Sequence, residues 1–413
     1  MRVATHRAPG FVFGEHEFEL PVDHGDPQGR KLTVFAREVV AAKRERDDLP
    51  WLVFLQGGPG HESPRPLRPV AATWLERAHE EFRVLLLDQR GTGRSSPVGD
   101  LAGMAPEEQA EYLTHFRADS IVRDAEAIRR ELEVERWSVL GQSFGGFCVT
   151  TYLSLAPEGL AGAYITGGLP PLERHPDDVY RATYERVRQR NRAFYERYPE
   201  DLDRVRTILE RTAAEDVRLP AGDRLTERRF RQLGQLLGMS TGAEALHYIL
   251  ELPFGSRAFL HDVEAAYPFA RNPLYAVIHE ACYAPGLATR WSAERVYPDD
   301  FREDPTLLTG EHVYPWMLEE YGELQPLAEA AQILAEHDWP QLYDLARLQA
   351  NEVPAAAAIY AEDMYVEREF SEETAAVIRG LRPWLTNEYE HDGLRADGAR
   401  VLGRLLDLTH GVA

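Results

Sequence analysis

The segment Gly141-Gln142-Ser143-Phe144-Gly145 places a serine between two glycines, directly after a short apolar run. On a sharp turn from a strand into a helix, such a serine projects its hydroxyl group out of the sheet, and the glycines let neighbouring backbone pass closely. The flanking residues Val139-Leu140 and Phe147-Cys148-Val149 supply the strand and the buried helix face that this turn requires. The pattern therefore predicts that Ser143 is a catalytic nucleophile.

A serine hydroxyl needs a base to take its proton and a carboxylate to hold that base in the right tautomer. When the serine lies on such a turn, the acid and then the histidine follow it in chain order, each in a loop after a later strand. Asp363 follows one predicted strand and His391 the next, and we predict that they are the acid and the base. The choice of acid stays open, since Glu362 could replace Asp363 and Asp392 lies beside the histidine.

Acyl transfer also needs backbone N–H donors for the negative charge that develops on the carbonyl oxygen. One donor belongs to the residue after the serine, here Phe144, and the other to a Gly-rich loop after an earlier strand. The segment Gln56-Gly57-Gly58-Pro59-Gly60 is such a loop, and Gly58 is the predicted second donor. Together these parts describe a serine hydrolase that needs no metal and no cofactor.

The strands that carry these loops are predicted from apolar runs. Residues 51–55 and 82–87 are almost continuously apolar, as strands buried on both faces of a parallel sheet are. Residues 11–22 and 31–41 alternate apolar and polar side chains and predict an antiparallel opening pair. Further strands are expected at 137–140, 160–166, 353–360 and 384–389. The sequence thus predicts an α/β fold with a mostly parallel central sheet.

Helices are predicted from apolar residues at helical spacing. The clearest are 119–133, with Asp119 or Ser120 as N-cap, and 399–408 at the end of the chain. A third, at 178–198, is rich in arginine. Its predicted buried stripe consists of Tyr180, Tyr184, Val187, Asn191 and Phe194. Because its arginines alternate with glutamates, we interpret them as a solvated face and not as a nucleic-acid site.

The character of the sequence changes after Pro170-Pro171, where residues with helical spacing and no convincing strand begin. Strand character returns only near residue 353. We therefore expect a helical cap domain over residues 171–345, inserted between two parts of a hydrolase domain at 1–170 and 346–413.

The composition limits the possible partners. Among 413 residues, 46 are basic and 68 acidic, and the net charge of −22 repels nucleic acid and anionic membranes. Cys148 and Cys282 lie far apart in apolar surroundings, so neither a disulfide framework nor a zinc site is expected. There is no signal-peptide core and no apolar run long enough to span a bilayer. These features predict a cytoplasmic protein with no nucleic-acid or membrane partner.

Residues 56–60 (QGGPG) and 88–95 (DQRGTGRS), taken with the serine, aspartate and histidine loops, carry a family resemblance. The set resembles the prolyl aminopeptidases (proline iminopeptidases) of the α/β-hydrolase superfamily, in particular the longer members with an enlarged helical cap. The GGPG and DQRG pair is more specific than the serine motif, which related esterases share. One departure is Gln56, where many members have a histidine. Because backbone groups hold the oxyanion, we expect little loss of activity, though substrate selectivity could shift.

The resemblance implies an exopeptidase that removes an N-terminal proline from short peptides. Its site must bind a charged secondary amine beside a small apolar ring. Residues 276–283 (AVIHEACY) are similar to the family's cap motif, in which a glutamate three residues before an aromatic meets this amine. The similarity assigns that role to Glu280. The family uses additional cap acids, for which Glu251 and Glu264 are equal candidates.

Two alternatives stay open at this point. A carboxylesterase of the same fold would have an apolar cap pocket in which Glu280 is incidental. A catalytically silent binding protein on the same scaffold is less favoured, because the set of Ser143, Asp363 and His391 is intact.

Overall fold

The structure, a computed structural model, describes residues 2–66 and 73–412 of the chain. Its strands are β1 (Arg2–Ala8), β2 (Phe11–Pro21), β3 (Lys31–Ala41), β4 (Trp51–Leu55), β5 (Arg83–Leu87), β6 (Trp137–Gln142), β7 (Leu160–Thr166), β8 (Ala355–Tyr360) and β9 (Leu381–Thr386). They form a nine-stranded sheet in the order β1-β2-β3-β5-β4-β6-β7-β8-β9. The pairs from β1 to β3, and β3 with β5, are antiparallel, whereas all pairs from β5 to β9 are parallel.

The predicted opening pair is confirmed, because β2 and β3 pair over their full length, from Phe11 with Ala41 to Pro21 with Lys31. The mostly parallel centre of the sheet is confirmed as well. The edge strand β1 is not predicted from the sequence, since its side chains are almost all exposed and show no apolar face. Strand β9 begins earlier than the predicted run at 384–389, because its pairing with the fully buried β8 sets its position.

The α-helices are α1 (Trp74–Ala78), α2 (Pro106–Thr114), α3 (Ala118–Glu131), α4 (Phe144–Leu155), α5 (Pro176–Arg197), α6 (Pro199–Ala214), α7 (Glu227–Arg231), α8 (Gly242–Glu251), α9 (Arg257–Ala265), α10 (Pro273–Ile278), α11 (Ser292–Arg295), α12 (Asp299–Glu303), α13 (Met317–Glu320), α14 (Ala328–Ala335), α15 (Leu345–Gln349), α16 (Arg368–Val377), α17 (Gly393–Ala396) and α18 (Gly398–His410). Short 3₁₀ helices occupy Ala42–Arg44, Pro157–Gly159, Gln232–Gly238, Glu280–Tyr283 and Gln325–Leu327. None of the helices in the described part of the chain combines the length and the apolar character needed to cross a membrane.

The three helices predicted from apolar spacing correspond to α3, α5 and α18, and the predicted stripe on α5 is buried in full. The predicted N-cap of α3 is wrong. The cap residue is Arg117, which makes no capping hydrogen bond through its side chain. Asp119 lies instead inside the first turn, where it pairs with Arg123 at 2.5 Å. A carboxylate in the first turn of a helix interacts favourably with the helix dipole. Asp119 can therefore stabilise the start of α3 without being its N-cap residue.

Alternate side chains of the central strands pack on opposite faces of the sheet. Leu52 and Phe54 of β4 belong to one apolar cluster, together with Leu402 of α18. Val53 of the same strand belongs to the other cluster, together with Val149 of α4. Helices therefore cover both faces, which is the reason that the central strands are apolar throughout.

Between β7 and β8 the described chain consists of helices and loops, and its one β-pairing is an isolated bridge between Arg218 and Arg224. The helical cap inserted into an α/β-hydrolase sheet is thus confirmed, while its boundaries at residues 171 and 345 stay predictions. The parallel strands direct their carboxyl ends to one edge of the sheet, where the loops after β4, β5, β6, β8 and β9 meet under the cap helices.

Candidate active site

Ser143 lies in the turn between β6 and α4, with φ 56° and ψ −126°. A residue other than glycine rarely adopts this conformation, which costs on the order of 1–3 kcal/mol. Two hydrogen bonds hold it. The Ser143 N–H donates to the Thr166 carbonyl at 2.9 Å, and the Ser143 carbonyl accepts from the Gly146 N–H at 2.7 Å. The predicted strand-to-helix turn with a strained serine is therefore present.

The glycines on either side of Ser143 are required by close backbone contacts. A Cβ atom on Gly145 would collide with the carbonyl oxygen of Leu55, and one on Gly141 would collide with the carbonyl oxygen of Gly145. The G-x-S-x-G spacing is thus imposed by the approach of β4 and α4 to the turn.

The structure brings Asp363 and His391 together, as the sequence predicts. His391 Nδ1 lies 2.7 Å from Asp363 Oδ2, and both side chains are buried. The other carboxylate oxygen, Oδ1, accepts the N–H groups of Tyr365 at 2.8 Å and Val366 at 3.1 Å. With both oxygens bound, the carboxylate is held in one orientation. Because Asp363 is bound to Nδ1, Nε2 is the ring nitrogen of His391 that is available to a substrate or to Ser143.

The two alternative acids lie elsewhere. The Glu362 side chain is 69% exposed and lies 3.5 Å from Arg190. Asp392 Oδ1 accepts hydrogen bonds from the N–H of Ser240 at 2.9 Å and from its hydroxyl at 2.5 Å. Of the three carboxylates considered from the sequence, Asp363 alone contacts the imidazole of His391 in the described structure.

The surroundings of His391 favour its protonated form. Burial lowers the pKa of His391, but the charge of Asp363 and its hydrogen bond outweigh this effect, and Glu311 acts in the same direction as Asp363. The net result is a raised pKa. The ring also stands edge-on to that of Tyr365, with 4.8 Å between the centroids. The imidazole is thus positioned sterically and stabilised as an imidazolium, the form that a general base reaches during the reaction.

The predicted oxyanion donors lie beside Ser143. Gly58, Ser143 and Phe144 line one small cavity. Within the described residues, the N–H groups of Gly58 and Phe144 donate to no protein acceptor. Two such donors beside a nucleophile can bind a developing oxyanion.

The DQRG segment after β5 fixes the position of this Gly-rich loop. Gln89 Nε2 donates to the carbonyl oxygen of Gln56 at 2.9 Å. Arg90 is buried and pairs with Asp124 through two bonds, Nε to Oδ2 at 2.7 Å and Nη2 to Oδ1 at 2.5 Å. Asp88 accepts the Arg94 N–H at 3.0 Å, and its burial raises its pKa. The motif is a buried scaffold for the catalytic loops.

A cavity of about 620 Å³ opens beside Ser143 and His391. A separate small cavity shares Gly58, Ser143 and Glu311 with it. This small cavity is lined by apolar and aromatic side chains, namely Phe144, Phe147, Cys282, Tyr283 and Val366, together with His279 and Glu311. The site therefore offers a nucleophile and a base next to an enclosed apolar space that contains one carboxylate.

Glu280, the predicted amine ligand, is not brought to this cavity. Its carboxylate is buried and accepts the N–H groups of Ser292 at 3.1 Å and Ala293 at 2.9 Å, at the start of α11. Burial raises its pKa, although the backbone hydrogen bonds act in the opposite direction. Because backbone donors use both oxygens, this geometry is that of a helix anchor and differs from the geometry expected of a substrate ligand.

The other two candidate acids are also remote from the cavity. Glu251 is 48% exposed and lies 3.5 Å from His247. Glu264 accepts the Ala221 N–H at 2.9 Å. Neither side chain lines the cavity among the described residues.

Glu311, which the sequence analysis does not single out, is a cap carboxylate that lines both cavities beside Ser143. Tyr275 donates its hydroxyl proton to Oε1, and His279 Nε2 lies 3.6 Å from Oε2. Burial raises the pKa of Glu311, but the interactions with His279 and Tyr275 outweigh it and the pKa is lowered. The available signal was a lone carboxylate in the mostly apolar segment 306–318 (TLLTGEHVYPWML). Charged side chains are seldom buried unless they are paired, so a lone glutamate in a mostly apolar segment indicates a specific binding partner.

Comparison with known proteins adds independent information. Residues 50–262 match the family described as alpha/beta hydrolase fold. A proline iminopeptidase from Aeromonas sobria is 50% identical, over 95% of this chain and 96% of its own. Proline iminopeptidase aneH from Aspergillus aculeatus is 35% identical, over 98% of this chain and 95% of its own. Among solved structures, a proline iminopeptidase from Mycobacterium smegmatis aligns with 96% of this chain and 100% of its own, at 15% identity and a TM-score of 0.45.

Proposed function

The chain is an enzyme of the proline iminopeptidase family of α/β hydrolases, and from this premise we propose that it releases an N-terminal proline from short peptides. The observation that carries the proposal is one cavity lined by Ser143, His391 and Glu311. A nucleophile with its base and an anionic ligand for an amine are the groups that an exopeptidase for free N-termini needs.

We assign the acyl transfer to Ser143, His391 and Asp363. Ser143 Oγ attacks the carbonyl carbon of the N-terminal proline while His391 Nε2 takes the hydroxyl proton. The C–N bond then breaks, and the same proton passes from His391 to the leaving amine. A prolyl ester stays on Ser143. Water attacks this ester with His391 again as base, which releases proline and returns the proton to Ser143.

The N–H groups of Phe144 and Gly58 are the proposed donors to the tetrahedral oxyanion. Preorganised donors stabilise the charge without reorganisation at the moment of reaction, and each contributes about 3 kcal/mol in comparable sites. The hydrogen bond from Gln89 to Gln56 supports this role, since it holds the loop that carries Gly58.

Glu311 is the proposed ligand for the prolyl ammonium group, in place of Glu280. Its lowered pKa keeps it anionic near neutral pH, when the substrate amine is a cation. The adjoining small cavity holds only about 10 Å³, so a pyrrolidine ring would lie in the large cavity and contact the apolar walls that Phe147, Tyr283 and Val366 form beside Ser143.

Hydrolysis of prolyl p-nitroanilide, compared with p-nitrophenyl acetate, tests the proposal against a carboxylesterase. A prolyl aminopeptidase hydrolyses the anilide efficiently, whereas an esterase hydrolyses only the acetate. Labelling by a fluorophosphonate tests the remaining alternative, a silent binding protein, because only an activated serine reacts with it. Absence of turnover on every prolyl substrate would refute the proposed function.

A further inference from the structure

Among the described residues, three arginines line the large cavity, and the surroundings of their guanidinium groups differ. Arg65 lies 3.0 Å from Asp88, and Arg271 pairs with Glu62. Arg395 forms no ion pair with any carboxylate in the described part of the chain, and its side chain is exposed to the cavity. In a protein with a net charge of −22, a cation in a cleft without an acidic partner is unusual.

The nearby acids are engaged by other groups. Asp392 accepts both hydrogen bonds from Ser240, and Glu311 is bound by Tyr275 and His279. The Arg395 guanidinium therefore presents unused donors to the cavity. Its fork of N–H groups matches the geometry of a carboxylate.

Arg395 also lies on the side of the reaction centre where we expect the departing part of the peptide. It belongs to α17, which begins directly after the His391 loop, one helical turn from the histidine in sequence. In the proposed reaction, His391 gives its proton to the leaving amine, so the residues around it face the departing part of the substrate. Glu311 lines both the large and the small cavity, whereas Arg395 lines the large one alone.

We infer that Arg395 binds the C-terminal carboxylate of a short peptide substrate. The inference rests on the proposed function, and it specifies the substrate class as free zwitterionic peptides of about two or three residues, which a cavity of this size accommodates. Glu311 and Arg395 then bind the ammonium and the carboxylate ends of one peptide. In a strongly acidic protein, Arg395 also offsets the repulsion that a carboxylate meets on entering.

The test compares substrates that differ only in their C-terminal group. Pro-Gly and Pro-Gly-Gly are compared with their C-terminal amides, and prolyl p-nitroanilide is the substrate without a carboxylate. We expect the wild-type enzyme to prefer at least one free acid over its amide in kcat/KM. Arg395→Ala should abolish that preference, with a loss of about three- to tenfold on the acid, because the pair is partly solvated. Arg395→Lys should retain part of it.

Arg382→Ala is the matched control, since Arg382 is exposed on β9 and does not line the cavity. It should leave the acid preference and the turnover of the anilide unchanged. Equal acid and amide rates in the wild type, an unchanged preference in Arg395→Ala, or an equal loss on the anilide would each overturn the inference. Failure of the wild type on all prolyl substrates would instead refute the proposed function, so the two failures are distinguishable.

Discussion

His391 Nδ1 lies 2.7 Å from Asp363 Oδ2, while the neighbouring Asp392 is bound to Ser240. Two adjacent loops therefore hold two buried carboxylates with different tasks. One orients the imidazole, and the other ties the histidine loop to the cap. The backbone N–H of His391 reinforces this tie by donating to the Gly238 carbonyl at 3.1 Å.

Asp363→Asn should reduce kcat by about a thousandfold or more, because an amide favours the wrong imidazole tautomer without disturbing the packing. Asp392→Asn is the control and should keep most of the activity, since Asp392 is bound to Ser240 and its charge is the smallest of the influences that shift the pKa of His391. The measurement is turnover of prolyl p-nitroanilide by both variants. A loss in Asp392→Asn as large as that in Asp363→Asn would exclude the assignment of the acid.

The pH dependence of ester hydrolysis should report the raised pKa of His391. Burial opposes that shift and Asp363 outweighs it, so activity on p-nitrophenyl acetate should fall as the pH drops through a value above 6.5, when the base becomes protonated. Glu311→Gln should move this limb to lower pH, because it removes a negative charge that favours the imidazolium. Glu280→Gln should leave it in place. An unmoved limb in Glu311→Gln would contradict the predicted coupling.

Glu311→Gln should change the hydrolysis of the prolyl substrate, whereas Glu280→Gln should change the melting temperature. Loss of a desolvated partner costs about 2–5 kcal/mol, so Glu311→Gln should lower kcat/KM for prolyl p-nitroanilide on the order of a hundredfold. Its activity on the neutral p-nitrophenyl acetate should change little. Glu280→Gln should instead lower the melting temperature, since the amide keeps one acceptor oxygen but turns an NH2 donor toward the other buried backbone N–H, at about 1–3 kcal/mol.

The reverse result would assign amine binding to Glu280, which is the role that the family resemblance implies. In that case Glu280→Gln would lose prolyl p-nitroanilide hydrolysis selectively and keep its melting temperature. Thermal unfolding and the two kinetic assays together separate these outcomes.

Gln89→Met should lower kcat by about tenfold with little effect on KM, because the loop that carries Gly58 loses its hydrogen bond and the oxyanion donor acts mainly in the transition state. Gln341→Met removes a comparable amide-to-carbonyl bond, to Pro285, away from the site, and is the control. An increase in KM alone in Gln89→Met would mean that the loop serves binding and not the transition state.

Much of the fold could be predicted from local sequence. Strand β7 and the long helix α5 follow directly from apolar periodicity, and the turn at Ser143 follows from two glycines with a strand before them. Asp363 and His391 could be selected because chain order restricts where they occur. These features depend on residues that are close together in the sequence, so local sequence patterns are sufficient to predict them.

The proposed amine ligand, Glu311, could not be predicted in the same way. Glu280 is a buried cap carboxylate and Glu311 a partly buried one, and their surroundings differ through segments distant in sequence. The start of α11 uses Glu280, whereas Tyr275 and His279 hold Glu311 at the cavity. The edge strand β1 was missed for a related reason, since only its pairing with β2 defines it.

The most direct test of the central claim uses prolyl p-nitroanilide and its N-acetyl derivative with the wild-type protein and the Ser143→Ala variant. The wild type should hydrolyse the free amine and not the acetylated substrate, because acetylation removes the cation that we propose Glu311 binds. Ser143→Ala, with an unchanged melting temperature, should hydrolyse neither, since loss of the nucleophile costs several orders of magnitude in rate. Equal hydrolysis of both substrates by the wild type, or wild-type rates in Ser143→Ala, would contradict the account.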